Sequence, residues 1–346
     1  MGTGTRTGLG YLGVLGSAAL AAVIALVAGG CAPSAAPAKA VTGADRSLTL
    51  SDAEGTYRSY LEASDTAAAE GDQDQGLAIA ADAQWALLNG QYTALASTGT
   101  PVARYSYGTP VFYVPALSTY PQWFMVTVPR RTDMGGQLGP AVNTIMVFEQ
   151  RSPGRPWTLN GSAVLDQALP KIARDSDGYA IDMTTTDPRL LLRPDVLGAT
   201  QAAVVDEGPA NASAAVIGRG PLTTGLYAAQ AAHAKAEAAK GLQYLWLLQG
   251  AAYPQFEMRT ADGGAIVFYG MYLNTTTEHP NLVPGSPIPV PAEFKPLLAS
   301  PTEVGKHAVY ANWIFEYVAI DPPLTKHNAK VEVIASGGGP SYGHAY

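Results

Sequence analysis

An α+β fold with two lobes is what the amino-acid sequence predicts, on three observations. Residues recur at helical spacing near the start of the chain and again after Thr223. Each time the period then changes to short runs rich in aromatic and β-branched residues, punctuated by Gly and Pro. Two of the turns between those runs have hairpin chemistry. At 346 residues the chain is long enough for two domains under the soft rule of ~150 residues each, so a sizeable core is within reach.

The first element is not part of that fold. Arg6 precedes an apolar run, Tyr11 to Val27, that closes on Ala28-Gly29-Gly30-Cys31. A basic residue, an apolar stretch and small residues before a cut site make residues 1–30 a secretory signal. Cys31 is the chain's one cysteine and follows three small residues, a pattern that resembles a bacterial lipobox, although Ala28 stands where Leu is usual. The resemblance implies diacylglyceryl transfer to the Cys31 thiol, cleavage before it and acylation of the new amino terminus. The alternative is an uncleaved anchor, because Leu9 to Gly30 is close to the ~20 apolar residues that span a bilayer. Both readings place the protein at the cell membrane on its extracytoplasmic face. Several acyl chains on one residue would make anchoring stable where a single chain is marginal. Residues 31–50, with prolines and little to bury, read as a flexible tether.

Composition excludes some functions. The net charge is −7, and removing the leader takes away Arg6 and no acid. With no basic run, the chain has no electrostatic footprint for nucleic acid. Charged residues make up 14% against a usual ~25%. Beyond Cys31 there is no cysteine, so stability must come from packing.

A first lobe is expected over residues 51–178. Ser51 and Glu54 have the spacing of a capping box for a helix over about 52–70, and Leu77 to Ser97 reads as a second amphipathic segment. Extended runs follow at 102–107, 110–115, 122–128, 144–150 and 157–164. Ser152-Pro153-Gly154-Arg155-Pro156 is the turn that pairs the last two. Residues 179–221 read as a connection whose structure the sequence leaves open.

The second lobe, 222–336, starts with a helix capped by Thr223 or Thr224 and running to Lys240, with Leu242 to Leu248 either continuing it or packing alone. Strands are expected at 255–260 and 265–273 around Asp262-Gly263. Residues 308–320 are apolar on both alternating sets, which predicts a central strand. Residues 337–346, opening Gly337-Gly338-Gly339, read as a flexible tail. The order of helix then curved strands, given twice, resembles NTF2-like and cystatin-like units. With the leader, the chain resembles an uncharacterised actinobacterial lipoprotein family.

No catalytic signature stands out. Asp72-Gln73-Asp74-Gln75-Gly76 starts like a calcium loop, but Ala83 stands where a bidentate Glu is needed. The five histidines, His233, His279, His307, His327 and His344, show no metal-ligand spacing. There is no Gly-x-Ser-x-Gly, and the Gly337 run lacks the Lys and Ser/Thr of a phosphate loop. No catalytic residue, cofactor or metal site is therefore expected, and Cys31 is the one site residue named, for lipid attachment. Aromatics such as Tyr105, Tyr107, Phe112, Trp123 and Phe124, and later Tyr244, Trp246, Phe256 and Phe268, suit sheet cores or an apolar pocket in a curved sheet. The expected function is a lipid-anchored binding or interaction module for an envelope protein or an apolar small molecule. The alternatives are an envelope enzyme acting on cell-wall or lipid substrates, for instance through His307 or His327 beside Asp321, or an assembly scaffold with an exposed apolar patch.

Overall fold

Ten strands share one antiparallel sheet, and helices cover one of its faces. The structure is a computed structural model and describes residues 48–346 apart from 284, 299 and 301. The leader, Cys31 and nearly all of the tether lie outside the described residues.

Helix α1 (Leu50–Glu70) starts earlier than expected, and its capping box is made by Thr49 and Asp52, not by Ser51 and Glu54. The Thr49 hydroxyl accepts from the Asp52 amide at 3.1 Å, and the Asp52 carboxylate accepts from the Thr49 amide at 3.2 Å. Leu48 decides this register. It is buried in the same core cluster as Ala53, so the residues before and after the first turn close as an apolar staple.

The segment expected to run from 77 to 97 is broken in two, α2 (Gln73–Ala78) and α3 (Asp82–Thr98). Between them the Leu159 amide donates to the Ile79 carbonyl, and the Ala81 amide donates to the Leu159 carbonyl, each at 3.0 Å. Extended backbone there pairs with a strand, and a helix could not. Asp72 of the calcium-like run caps α2 by accepting from the Gln75 amide at 3.0 Å, and a side chain at Gly76 would collide with the Tyr92 ring.

Strands β1 (Arg104–Tyr107), β2 (Val111–Tyr113), β3 (Gln122–Asp133), β4 (Val142–Gln150) and β5 (Thr158–Leu165) follow. The expected β4–β5 hairpin is present, and β1 and β2 both pair with the outer edge of β3. In the connection, α4 (Pro194–Glu207) begins with Pro at its first turn, where a missing N–H costs nothing. Helix α5 (Thr224–Ala238) leads into β6 (Gln243–Gly250), so Leu242 to Leu248 is strand and does not continue the helix. Thr223 precedes α5, but its hydroxyl donates to the Gly218 carbonyl at 2.8 Å and does not cap the helix. β7 (Phe256–Arg259) and β8 (Ala265–Glu278) form the Asp-Gly hairpin.

β9 (Ala308–Asp321) is flanked by β8 on one side and β10 (Glu332–Ala345) on the other, as its two-sided apolar pattern requires. β10 corrects the expectation of a loose tail, since residues 337–345 pair with β9 along their length. Glycine is needed there because the backbones approach too closely for a side chain: a Cβ on Gly337 would lie 2.0 Å from the Ser162 carbonyl oxygen.

The strand order β1-β3-β4-β5-β10-β9-β8-β6 places the strands of each sequence cycle side by side and joins the two sets through β5 and β10. One face is lined by a core that runs across both sets. In it Trp123 of β3 packs against Phe256 of β7 with ring centroids 5.3 Å apart, so the sheet curls enough to bring those two strands together across this face. The other face carries α1 over one set, α4 and α5 over the other, and α3 across the seam on β5, β10 and β9.

Candidate functional site

Where the two sets of strands join, the helical cover does not close on the sheet. A cavity of about 620 Å³ lies there, within the ~300–1,000 Å³ usual for small-molecule pockets. Helices α1 and α3 supply Tyr60, Ser64, Leu87 and Gln91. The sheet supplies Arg130, Met146, Ser162, Phe315, Tyr317 and the Ser336–Pro340 stretch of β10. The three glycines at 337–339 leave this wall low, which is why a helix can cross it and still leave space.

One end of the cavity is polar. Arg130 lies with its guanidinium carbon 4.3 Å from the centroid of the Tyr105 ring, a cation–π arrangement, and donates from Nη1 to the Ser162 hydroxyl at 3.2 Å. Burial raises the Tyr60 hydroxyl to about 12, and it raises Tyr107 further although Arg130 pulls the other way. Both phenols are therefore neutral donors at physiological pH. Behind the wall, Glu316 of β9 is fully buried and accepts from Gln84 Nε2 at 2.6 Å and from the Ser162 amide at 3.1 Å, while its Oε1 has no partner among the described residues. Burial pushes its carboxyl up to about 8. At neutral pH it is mostly protonated and leaves the charge of Arg130 largely uncompensated.

The other end is apolar and meets a second cavity of about 360 Å³ beneath α5. The two share Leu226, Glu293 and Phe315 as lining residues. Trp313, Phe315 and Tyr317 stack along β9, with successive ring centroids 6.2 and 5.5 Å apart. Helix α5 spans this gap loosely, burying among its side chains only Glu237.

The aromatics singled out in the sequence are divided between core and cavity. Phe124 stacks on Phe148 at 4.9 Å in a closed cluster, whereas Tyr105 and Tyr107 line the cavity. Arg130 and Ser162 carry no motif. Arg130 follows Pro129, where the strand was expected to have ended, so no sequence signal marked it. The histidines are scattered. His233 sits edge-on to Tyr244 at 4.4 Å and lines the second cavity, His279 hydrogen-bonds the Ser286 carbonyl, and His344 stacks on Tyr346. Asp321 is buried, accepts from the Leu192 amide at 3.3 Å and is raised to about 7 by burial. His307 precedes β9 and Asp321 ends it, which puts them ~40 Å apart at the rise of a strand. His327 is exposed on the turn beyond.

Fold and site together define an α+β protein with a curled antiparallel sheet and a pocket between that sheet and its helices. Among the described residues no helix is long and apolar enough to cross a membrane. The chain belongs to the family described as "Domain of unknown function (DUF8094)", whose model matches residues 44–338. It is also similar to an "Uncharacterized lipoprotein" of Streptomyces avermitilis, 27% identical over 186 residues, which is 49% of this chain and 51% of the relative. The match thus spans about half the length of that relative, whose name agrees with the lipoprotein resemblance read from the leader. No solved structure matches the chain.

Proposed function

We propose that the protein is an envelope lipoprotein, acylated at Cys31 and held on the extracytoplasmic face of the membrane, whose folded body binds a small, largely apolar molecule in the cavity between α1, α3 and the sheet. The cavity carries this reading. Its size, aromatic walls and few convergent polar groups are those of a ligand site. The anchor is supported by the leader ending in Ala28-Gly29-Gly30-Cys31 and by the name of the Streptomyces relative, an uncharacterized lipoprotein. We read the five-stranded sets as two lobes sharing a sheet, each like an NTF2-like or cystatin-like unit, with the cavity at their seam.

Two measurements test the reading separately. Metabolic labelling with a radioactive fatty acid should mark the native chain and not Cys31→Ser, which should leave the membrane fraction. An unlabelled native chain would overturn the anchor. Mass spectrometry of the protein purified from its own membranes should show a bound small molecule. That molecule should disappear when Gly339 at the cavity wall is replaced by Trp and the fold is retained by circular dichroism. A molecule retained at full occupancy in Gly339→Trp would place binding elsewhere.

A further inference from the structure

We propose that the cavity takes an amphiphile with a single acidic group, the acid seated on Arg130 and the apolar chain running past Phe315 to the space beneath α5. This rests on the ligand-binding reading above and names the class of ligand.

Three observations carry it. First, Arg130 and Glu293 are the charged side chains in the lining. Glu293 is exposed at the far border, while Arg130 is half-buried at the polar end. Second, among the described residues no carboxylate lies within ion-pair distance of Arg130. Its hydrogen-bond partners are the neutral hydroxyls of Ser162 and Tyr107, and its flat face rests on Tyr105. Arg104, Arg151 and Arg189, by contrast, each face a carboxylate, and exposed Arg174 donates to the Gly178 and Phe112 carbonyls. A guanidinium offers five donors in a plane suited to two oxygens of one acid, and a partly desolvated cation with no anion is the group a ligand's acid best satisfies. The hydroxyls of Ser162 and Ser64 and the neutral phenols of Tyr60 and Tyr107 surround that end with further donors. Third, a second cavity adjoins the first at its apolar end. Phe315 and Leu226 line both, so a chain longer than the first can hold needs only those two side chains to turn aside to reach the second, toward Trp313 and Phe294.

Calorimetric titration of the full-length chain held in amphipol, with amphipol alone as the blank, tests this with decanoate, decyl phosphate, 1-decanol and inorganic phosphate. Decanoate should bind at least tenfold more tightly than 1-decanol. Affinity should rise about fourfold per added methylene from octanoate to dodecanoate, in keeping with the burial of each CH₂. Arg130→Gln should erase the difference between decanoate and decanol while leaving decanol binding in place, and Arg130→Lys should restore part of it. Thermal melts confirm that each variant is folded, and the comparison within the native chain needs no variant. Equal affinity for decanoate and decanol in the native chain would overturn the anionic pole and leave the cavity as an apolar site. Inorganic phosphate binding as tightly as decyl phosphate would overturn the amphiphile. If neither decanoate nor decanol bound, the ligand-binding reading would fall with it.

Discussion

The strands β1–β5 and the strands β6–β10 repeat one arrangement, two strands on the outer edge of a longer one and then two more in line, yet their helix-covered faces are built differently. Over the first set, α1 seats Tyr57 against Phe112 and Phe148, with Phe124 stacked on Phe148. The outer part of that face is packed shut, whereas toward β5 it opens on the larger cavity, where Tyr105, Arg130 and Ser162 line the wall. Over the second, α4 packs closely but α5 does not, and of the aromatic ladder of β9 Tyr317 is buried in the core while Trp313 and Phe315 line the second cavity. The second set also holds three buried carboxyls raised by burial, Glu257, Glu316 and Asp321, each with one oxygen that has no partner among the described residues. The difference shows that one strand pattern can carry both a closed core and a binding space on the same face, with helix placement deciding where each falls.

Truncating an aromatic in each half gives the largest contrast. Phe148→Ala removes a fully buried ring and should cost about 3–5 kcal/mol in urea unfolding. Phe315→Ala, at a half-buried wall position between the cavities, should cost well under half of that and should alter ligand affinity. Equal costs would mean that the β9 ladder is ordinary core.

The seam can be tested next. Gly337→Ala places a methyl against the Ser162 carbonyl, backbone against backbone, so a strand must shift. A loss of about 1–3 kcal/mol is expected, larger than that of Gly250→Ala, which meets nothing within 4 Å on β6. Similar losses at both sites would show that the β5–β10 contact contributes little.

Most of the strands were legible in the sequence because their signals are local. The two-sided apolar alternation of 308–320 needs strands on both flanks, and Asp262-Gly263 fits a two-strand turn whatever surrounds it. The glycine run at 337 misled because a local reading sees only its freedom, whereas in the fold its lack of side chains is what lets β10 approach β5 and β9. Arg130 was hidden by Pro129. Gly108 donates to the Pro129 carbonyl, so the missing N–H faces the gap between the β2 and β1 pairings, and the strand passes through a residue that ordinarily ends one. No motif foretold the cavity, because it arises from the fit of α3 and α5 on the sheet.

The buried acids separate the halves by pH. Glu316 has a folded-state value of about 8, above the ordinary range for Glu. Below that ordinary range both states carry the proton and pH has no effect through this group. As pH rises from there toward 8 the unfolded chain releases the proton and the folded one keeps it, so stability falls, by up to about 1.4 kcal/mol per pH unit for one such group. Glu316→Gln should flatten the decline of the urea midpoint between pH 5.5 and 7.5, whatever constant offset the amide adds. An unchanged slope would mean that Glu316 ionises in the folded protein, and that Arg130 is compensated from behind.

The smallest effect concerns α1, the helix that serves both core and cavity. Thr49→Ala removes the hydroxyl that accepts from the Asp52 amide and should lower stability by about 1 kcal/mol, with Thr49→Ser restoring it. Tyr57 and Tyr60 lie two to three turns beyond the cap, where fraying of the first turn does not reach. Decanoate affinity should therefore be the same in Thr49→Ala and in the native chain. A parallel loss of affinity would show that α1 moves as one body, so that the closed half of the molecule holds the cavity's wall in place.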